Sequence, residues 1–178
     1  MNAADTLARW QAEDAALRER HVNLPAAPLP PEAAQGRAGL DVMRDMIEGR
    51  LPSPPIAHSM NFLLVHVERG QAVFQGRPSP QFLNPMGSLH GGWYATLLDS
   101  CVGCAVHTIL PIGRAYTTLE LKMNLVRPIG PDVPLVRAEG RVVHGGRQVA
   151  TAEGRLVGPD GKLYAHATTT CLVFDIPT

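Results

Sequence analysis

Residues 90–108 read "HGGWYATLLDSCVGCAVHT", with apolar or small side chains at nearly every angle around a helical axis. A helix of that kind is buried on most of its sides. The rest of the domain therefore has to enclose it, and the flanking sequence is built for strands. "FLLVHVE" (62–68) and "AVFQGR" (72–77) flank "RGQ" as a hairpin candidate. In "YTTLELKMNLV" (116–126), Leu119, Leu121, Met123 and Leu125 alternate with Thr118, Glu120, Lys122 and Asn124, the period-two signature of a half-buried strand. "PLVRAEGRVVH" (134–144) and "RQVATAEGRLV" (147–157) meet at Gly145 and Gly146, and the "GPDG" turn leads into "KLYAHATTTCLVF" (162–174). The order is β-β-α-β-β-β-β. It predicts an α+β domain in which a curved antiparallel sheet wraps one central helix.

The N-terminal part reads differently. Residues 4–22 predict a surface helix whose narrow apolar stripe, Leu7, Trp10, Ala15 and Leu17, docks on something. "LPAAPLPPEAAQG" (24–36), with its four prolines, is a stiff extended connector. A second short helix is expected at Gly39–Glu48, with Leu40, Met43 and Ile47 on one face, before "GRLPSPPIA" stops it. Residues 1–57 are thus expected to form an extension, and residues 58–178 the domain proper.

Composition narrows the function. Sixteen Lys plus Arg balance sixteen Asp plus Glu, so no excess of positive charge points to nucleic acid or an anionic membrane. An anionic ligand must be held by local groups. Three cysteines are too few, and odd in number, for a secreted disulfide framework, which predicts a cytoplasmic protein. The N-terminus is charged and lacks the apolar core of a signal peptide, and no run approaches the roughly 18 apolar residues that span a bilayer.

The chemistry centres on Asp99. A carboxylate buried in such a helix without partners costs several kcal/mol, so it is paired, protonated or facing a cavity. The plain alternative is a salt bridge to a strand arginine; the functional one is a general base or nucleophile in a pocket. At the other end, Gly91 and Gly92 open the helix, where unpaired N–H groups and the dipole could receive a carbonyl oxygen. Two glycines in an ordinary turn are the alternative there. With the helix starting near His90, nine residues to Asp99 amount to a rise of about 13 Å and a rotation of about 900°, half a turn out of phase. One chain cannot aim both at one substrate atom. Two antiparallel copies of the helix could, which predicts a site at a two-fold subunit interface.

Asn84, the run Gly87-x-x-His90-Gly91-Gly92, Asp99, "TTLELKMNLVRP" (117–128) and the Gly-Gly-Arg hairpin at 145–147 resemble the PaaI-like (phenylacetate pathway type) acyl-CoA thioesterases of the hotdog superfamily. The resemblance covers roughly residues 58–175 and implies a hotdog fold acting as a homodimer, often a dimer of dimers, on an acyl-CoA substrate without cofactor or metal. It implies that the amide of Gly91, helped by Asn84, binds the thioester carbonyl, and that Asp99 of the partner subunit attacks or activates water. A strand hydroxyl, Thr118 or by a shift of register Thr117, would hold that water. His90 would act as a positioning residue, with Gly146, Arg147 and Arg127 near the coenzyme A phosphates, where an arginine's fork of donors suits two oxygens. Departures from the pattern lie in the first 57 residues, which would change the accepted acyl group if they cover its pocket.

Other signals carry less. Cys101-Val-Gly-Cys104 with His107 lacks the setting of a redox, zinc or haem motif and reads as small residues in a tight core. His66, His144 and His166 lie in strands without ligand spacing. "HGGW" lacks the Gly-x-Ser-x-Gly that a serine hydrolase would need, and no Walker loop or dinucleotide fingerprint occurs. Two further functions compete with hydrolysis: a non-catalytic acyl-CoA binding or regulatory module, and a hydroxyacyl-thioester dehydratase, which would want a catalytic histidine facing the substrate.

Overall fold

The computed structural model describes residues 2–130 and 132–176. Four helices come first, α1 (Ala3–His21), α2 (Pro31–Ala34), α3 (Gly39–Ile47) and α4 (Pro55–Ser59). The hairpin β1 (Phe62–Glu68) and β2 (Gln71–Gly76), the long helix α5 (Gly91–His107), and β3 (Arg114–Leu125), β4 (Val136–Gly145), β5 (Val149–Val157) and β6 (Leu163–Asp175) follow. The six strands form one antiparallel sheet in the order β1-β2-β4-β5-β6-β3. Its inner face curves around α5, the arrangement expected of a hotdog fold.

Helix and sheet meet closely because the sheet is indented where they touch. Gly140 and Gly154 are cross-strand partners on β4 and β5. A Cβ on Gly140 would lie 2.1 Å from the Cys101 carbonyl oxygen, and one on Gly154 would lie 2.7 Å from Val102 Cγ1. Leu97, Leu98, Cys101, Val102, Ala105 and Val106 are completely buried there. The Cys-x-x-Cys pair is therefore core filling, as its composition suggests. Burial pushes both thiols up, Cys104 to about 12, so they stay protonated and inert.

The period-two reading of β3 holds for only part of the strand. Thr118 pairs with Cys171 and Glu120 with Thr170, which leaves Leu119 as an unpaired bulge. Leu119 is 60% exposed, while Thr118, Leu121 and Met123 all turn toward α5. An unbroken alternation would have put Thr118 on the outer face with Glu120. The extra residue re-aims it inward, as bulges commonly do beside functional sites.

The N-terminal extension folds onto both sides of the domain. On the outer sheet face, Trp10 of α1 packs with Leu135 and Val157 and lies under the Arg137 guanidinium, 4.5 Å from its ring centroid. The buried stripe of α1 is Trp10, Asp14 and Leu17; Ala15 is exposed. Asp14, fully buried, accepts from Arg18 at 2.8 Å and from Arg77, while Gln75 Nε2 donates to the Trp10 carbonyl at 3.1 Å. On the inner side α3 joins the main core through Met43 and packs on β1 and α5. The expected boundary at residue 57 falls inside α4.

Candidate active site

The first turn of α5 leaves backbone N–H groups without helical acceptors. His90 is the N-cap, and its Nδ1 accepts from Gly92 N at 2.9 Å. Its ring is committed to the cap. Among the described residues nothing accepts from the Gly91 N–H, and this glycine opens onto a cleft of about 290 Å³ shared with Asn84, Leu125 and Arg127. A Cβ at Gly91 would come within 3.1 Å of Leu125 Cδ1, so the glycine lets the Leu125 side chain lie close against the backbone at the cleft.

Asn84 shapes the approach to this amide. Its Oδ1 accepts from Met86 N at 2.9 Å and from Ser88 N at 3.3 Å, and its Nδ2 donates to Ser88 Oγ at 2.9 Å. A side-chain amide has two N–H donors, so one is left without a partner among the described residues, on a side chain that lines the cleft. Tyr94, one turn into α5, fixes the opposite wall: its hydroxyl donates to the Arg127 carbonyl at 3.3 Å and accepts from Ile129 N at 2.7 Å. Nothing in "RPIG" (127–130) signals that its backbone needs a tyrosine.

Asp99 is exposed on α5 within this single chain, not buried as the all-round apolar helix suggests. The face that carries it is left open by the protomer. No arginine or lysine pairs with it among the described residues. Instead Thr118 Oγ1 donates to its Oδ1 at 3.1 Å. Thr117 is exposed on the other side of the strand, so the inward hydroxyl is that of Thr118. The eight residues from Gly91 to Asp99 correspond to about 12 Å along the helix. Amide and acid are therefore not brought together within one chain.

The arginines separate in the same way. Arg127 stands at the Gly91 cleft, whereas Gly146 and Arg147 line a different cleft of about 310 Å³ with Arg69 and Arg114, beyond the opposite end of α5. Arg114 donates to Asp175 at 2.8 Å and to the Arg147 carbonyl. Among the described residues no three His, Cys, Asp or Glu side chains gather as a metal site, and no helix is long and apolar enough to cross a membrane.

The thioesterase superfamily profile matches residues 86–165. A Saccharolobus solfataricus protein named among the esterases is 32% identical over 106 residues, which is 58% of this chain and 72% of that protein. A Ralstonia eutropha protein named as a phenylacetic acid degradation-related thioesterase superposes with a TM-score of 0.67 at 31% identity, covering 73% of this chain and 98% of that one. A point mutant of the phenylacetic acid degradation protein PaaI of Thermus thermophilus gives a TM-score of 0.60 at 29% identity over 66% of this chain and 97% of its own. An open helix-entry amide, a threonine-held acid and these likenesses converge: the chain belongs to the thioesterase superfamily, as a PaaI-like thioester hydrolase of hotdog fold.

Proposed function

We propose that the protein hydrolyses acyl-CoA thioesters at a site shared by two protomers, with an aryl or a short to medium acyl group as substrate. The observation that carries this reading is Asp99, exposed on α5 and held by Thr118 at 3.1 Å, yet about 12 Å along the helix from the open Gly91 amide. A second α5 running antiparallel would bring its Gly91 to this Asp99. β3 offers the means, since it is an edge strand paired only with β6. In the pair, the Gly91 amide and the spare Asn84 N–H of one protomer receive the oxygen that becomes negative as the carbonyl is attacked. Asp99 of the other attacks that carbonyl or takes the proton of the attacking water. Thr118 fixes the carboxylate and His90 the helix start. The C–S bond then breaks: where Asp99 acts as base, its proton passes to the CoA sulfur, which leaves as thiol beside the free acid; where it acts as nucleophile, the sulfur takes a proton from water and a second water hydrolyses the acyl–Asp99 anhydride to the acid, restoring the carboxylate. Arg127, Gly146 and Arg147 supply phosphate contacts from the two protomers, Arg127 at the Gly91 cleft and Arg147 from the far end of a chain. Three free thiols suit a cytoplasmic enzyme.

The test is steady-state hydrolysis across an acyl-CoA panel with a thiol-detecting reagent. Asp99→Ala is expected to lose kcat by about a hundredfold to ten-thousandfold, the range for removing a positioned base. Unchanged turnover in that variant would remove the mechanism.

A further inference from the structure

Thr96 and Ser100 stack one turn apart on the same side of Asp99 along α5, with Ser100 Oγ donating to the Thr96 carbonyl. Thr96 lines an open groove with Met60 and Phe82, and Ser100 lines a separate pocket of about 240 Å³. The second pocket follows the helix away from the acid. Ser100, Cys104 and His107, spaced as one helical stripe, form its floor, and Tyr116, two residues before Thr118, forms a side wall with Phe62 and Phe74. Its roof comes from the chain before β1. Leu29 of the proline-rich connector, Met43 and Met46 of α3, and Pro54 and Ile56 close it. All five lie outside residues 86–165, the part that matches the thioesterase family.

The polar atoms on the floor are spent or uncharged. Ser100 Oγ donates to the Thr96 carbonyl at 2.7 Å. Burial holds the Cys104 thiol protonated and pushes His107 down, toward the neutral ring. His107 Nδ1 is buried without a hydrogen-bond partner. The pocket thus presents an apolar, uncharged lining that begins one residue from the candidate nucleophile.

We infer that this pocket is the acyl-chain subsite and that the N-terminal extension, through Leu29 and Met46, sets the length of acyl group the enzyme accepts. The location of the carbonyl rests on the shared-site reading above; the occupant follows from continuity with Asp99 and from the lining. A carboxylate-terminated or otherwise charged acyl group is disfavoured, because it would lose its water where the lining offers no charged side chain. A cavity of about 150 Å³ holds benzene. At about 240 Å³ this one suits a medium linear chain or a substituted ring.

Calorimetric titration with S-alkyl-CoA thioethers, which lack the scissile carbonyl, reads the subsite without turnover. In the wild type, affinity should rise about fourfold per methylene until the chain fills the pocket, and then level. Leu29→Ala and Met46→Ala should move that plateau about two to three carbons longer, and Met46→Trp should move it shorter. Hydrolysis of the acyl-CoA series from acetyl to dodecanoyl should shift its optimum in the same directions, with thermal unfolding checking that the variants fold. No rise of affinity with chain length in the wild type, or a plateau that folded variants leave in place, overturns the inference. Length-dependent binding that moves with the variants, but with no turnover of any acyl-CoA, sinks the hydrolase reading and leaves the subsite standing.

Discussion

Thr118 and Asp99 are joined by a single hydrogen bond at 3.1 Å, on which the acid's orientation depends because no cation faces it among the described residues. A hydrogen bond to a charged group contributes about 1.5 to 3 kcal/mol. Thr118→Val should therefore lower kcat by about tenfold to a hundredfold with little change in KM. Thr118→Ser should recover most of the loss, and Thr117→Val should leave kcat alone. A loss in Thr117→Val equal to that in Thr118→Val would assign the hydroxyl wrongly. At this scale the sequence was informative where chemistry is local. His90, Gly91 and Asp99 announce a helix start and an acid in a core helix. It was uninformative where a role depends on a distant backbone, as with Tyr94 holding Arg127 and Ile129. It also misjudged the exposure of Asp99, because an all-round apolar helix does not reveal which side its own protomer leaves open.

Among the elements, α5 and the sheet are fitted by the absence of side chains at Gly140 and Gly154. Gly154→Ala would bring a methyl within 2.7 Å of Val102 Cγ1 and 3.1 Å of Cys101 Sγ, contacts that side chains can relieve. Gly140→Ala would meet the Cys101 backbone, with the carbonyl oxygen at 2.1 Å, which cannot yield without moving the helix. Overpacking of a filled core costs about 1 to 3 kcal/mol. Urea unfolding should place Gly154→Ala in that range and Gly140→Ala beyond it. Equal midpoints for both variants would mean that the helix is free to shift. The order of elements was legible from turn signals and alternation, since both are short-range. The bulge at Leu119 was not, because a leucine in phase with Leu121 and Met123 looks like their neighbour. Asp14 was hidden for a related reason: an acid on a charged helix reads as solvated until Arg77 and Gln75 of β2 and its turn close over it.

At the scale of the molecule, the two edges of the sheet are treated unequally. β1 is packed by α1 and α3, whereas the outer edge of β3 runs twelve residues with its backbone groups turned outward. A long bare edge invites pairing with another strand, and an antiparallel partner β3 would set the two α5 helices side by side. This arrangement makes a prediction that no single-chain site can meet. A protomer carrying Asp99→Ala lacks the acid but keeps its amide, and one carrying Gly91→Val has its amide obstructed but keeps the acid. In a mixed dimer both lesions fall in one site and the other site is intact. Random mixing makes about half the dimers mixed, so unfolding and refolding the two inactive variants together should restore about a quarter of wild-type activity. If acid and amide served the same substrate within one chain, every site in the mixture would carry a lesion. Activity no greater than the sum of the separate variants, in a sample shown by mass spectrometry to contain mixed dimers, would exclude a shared site.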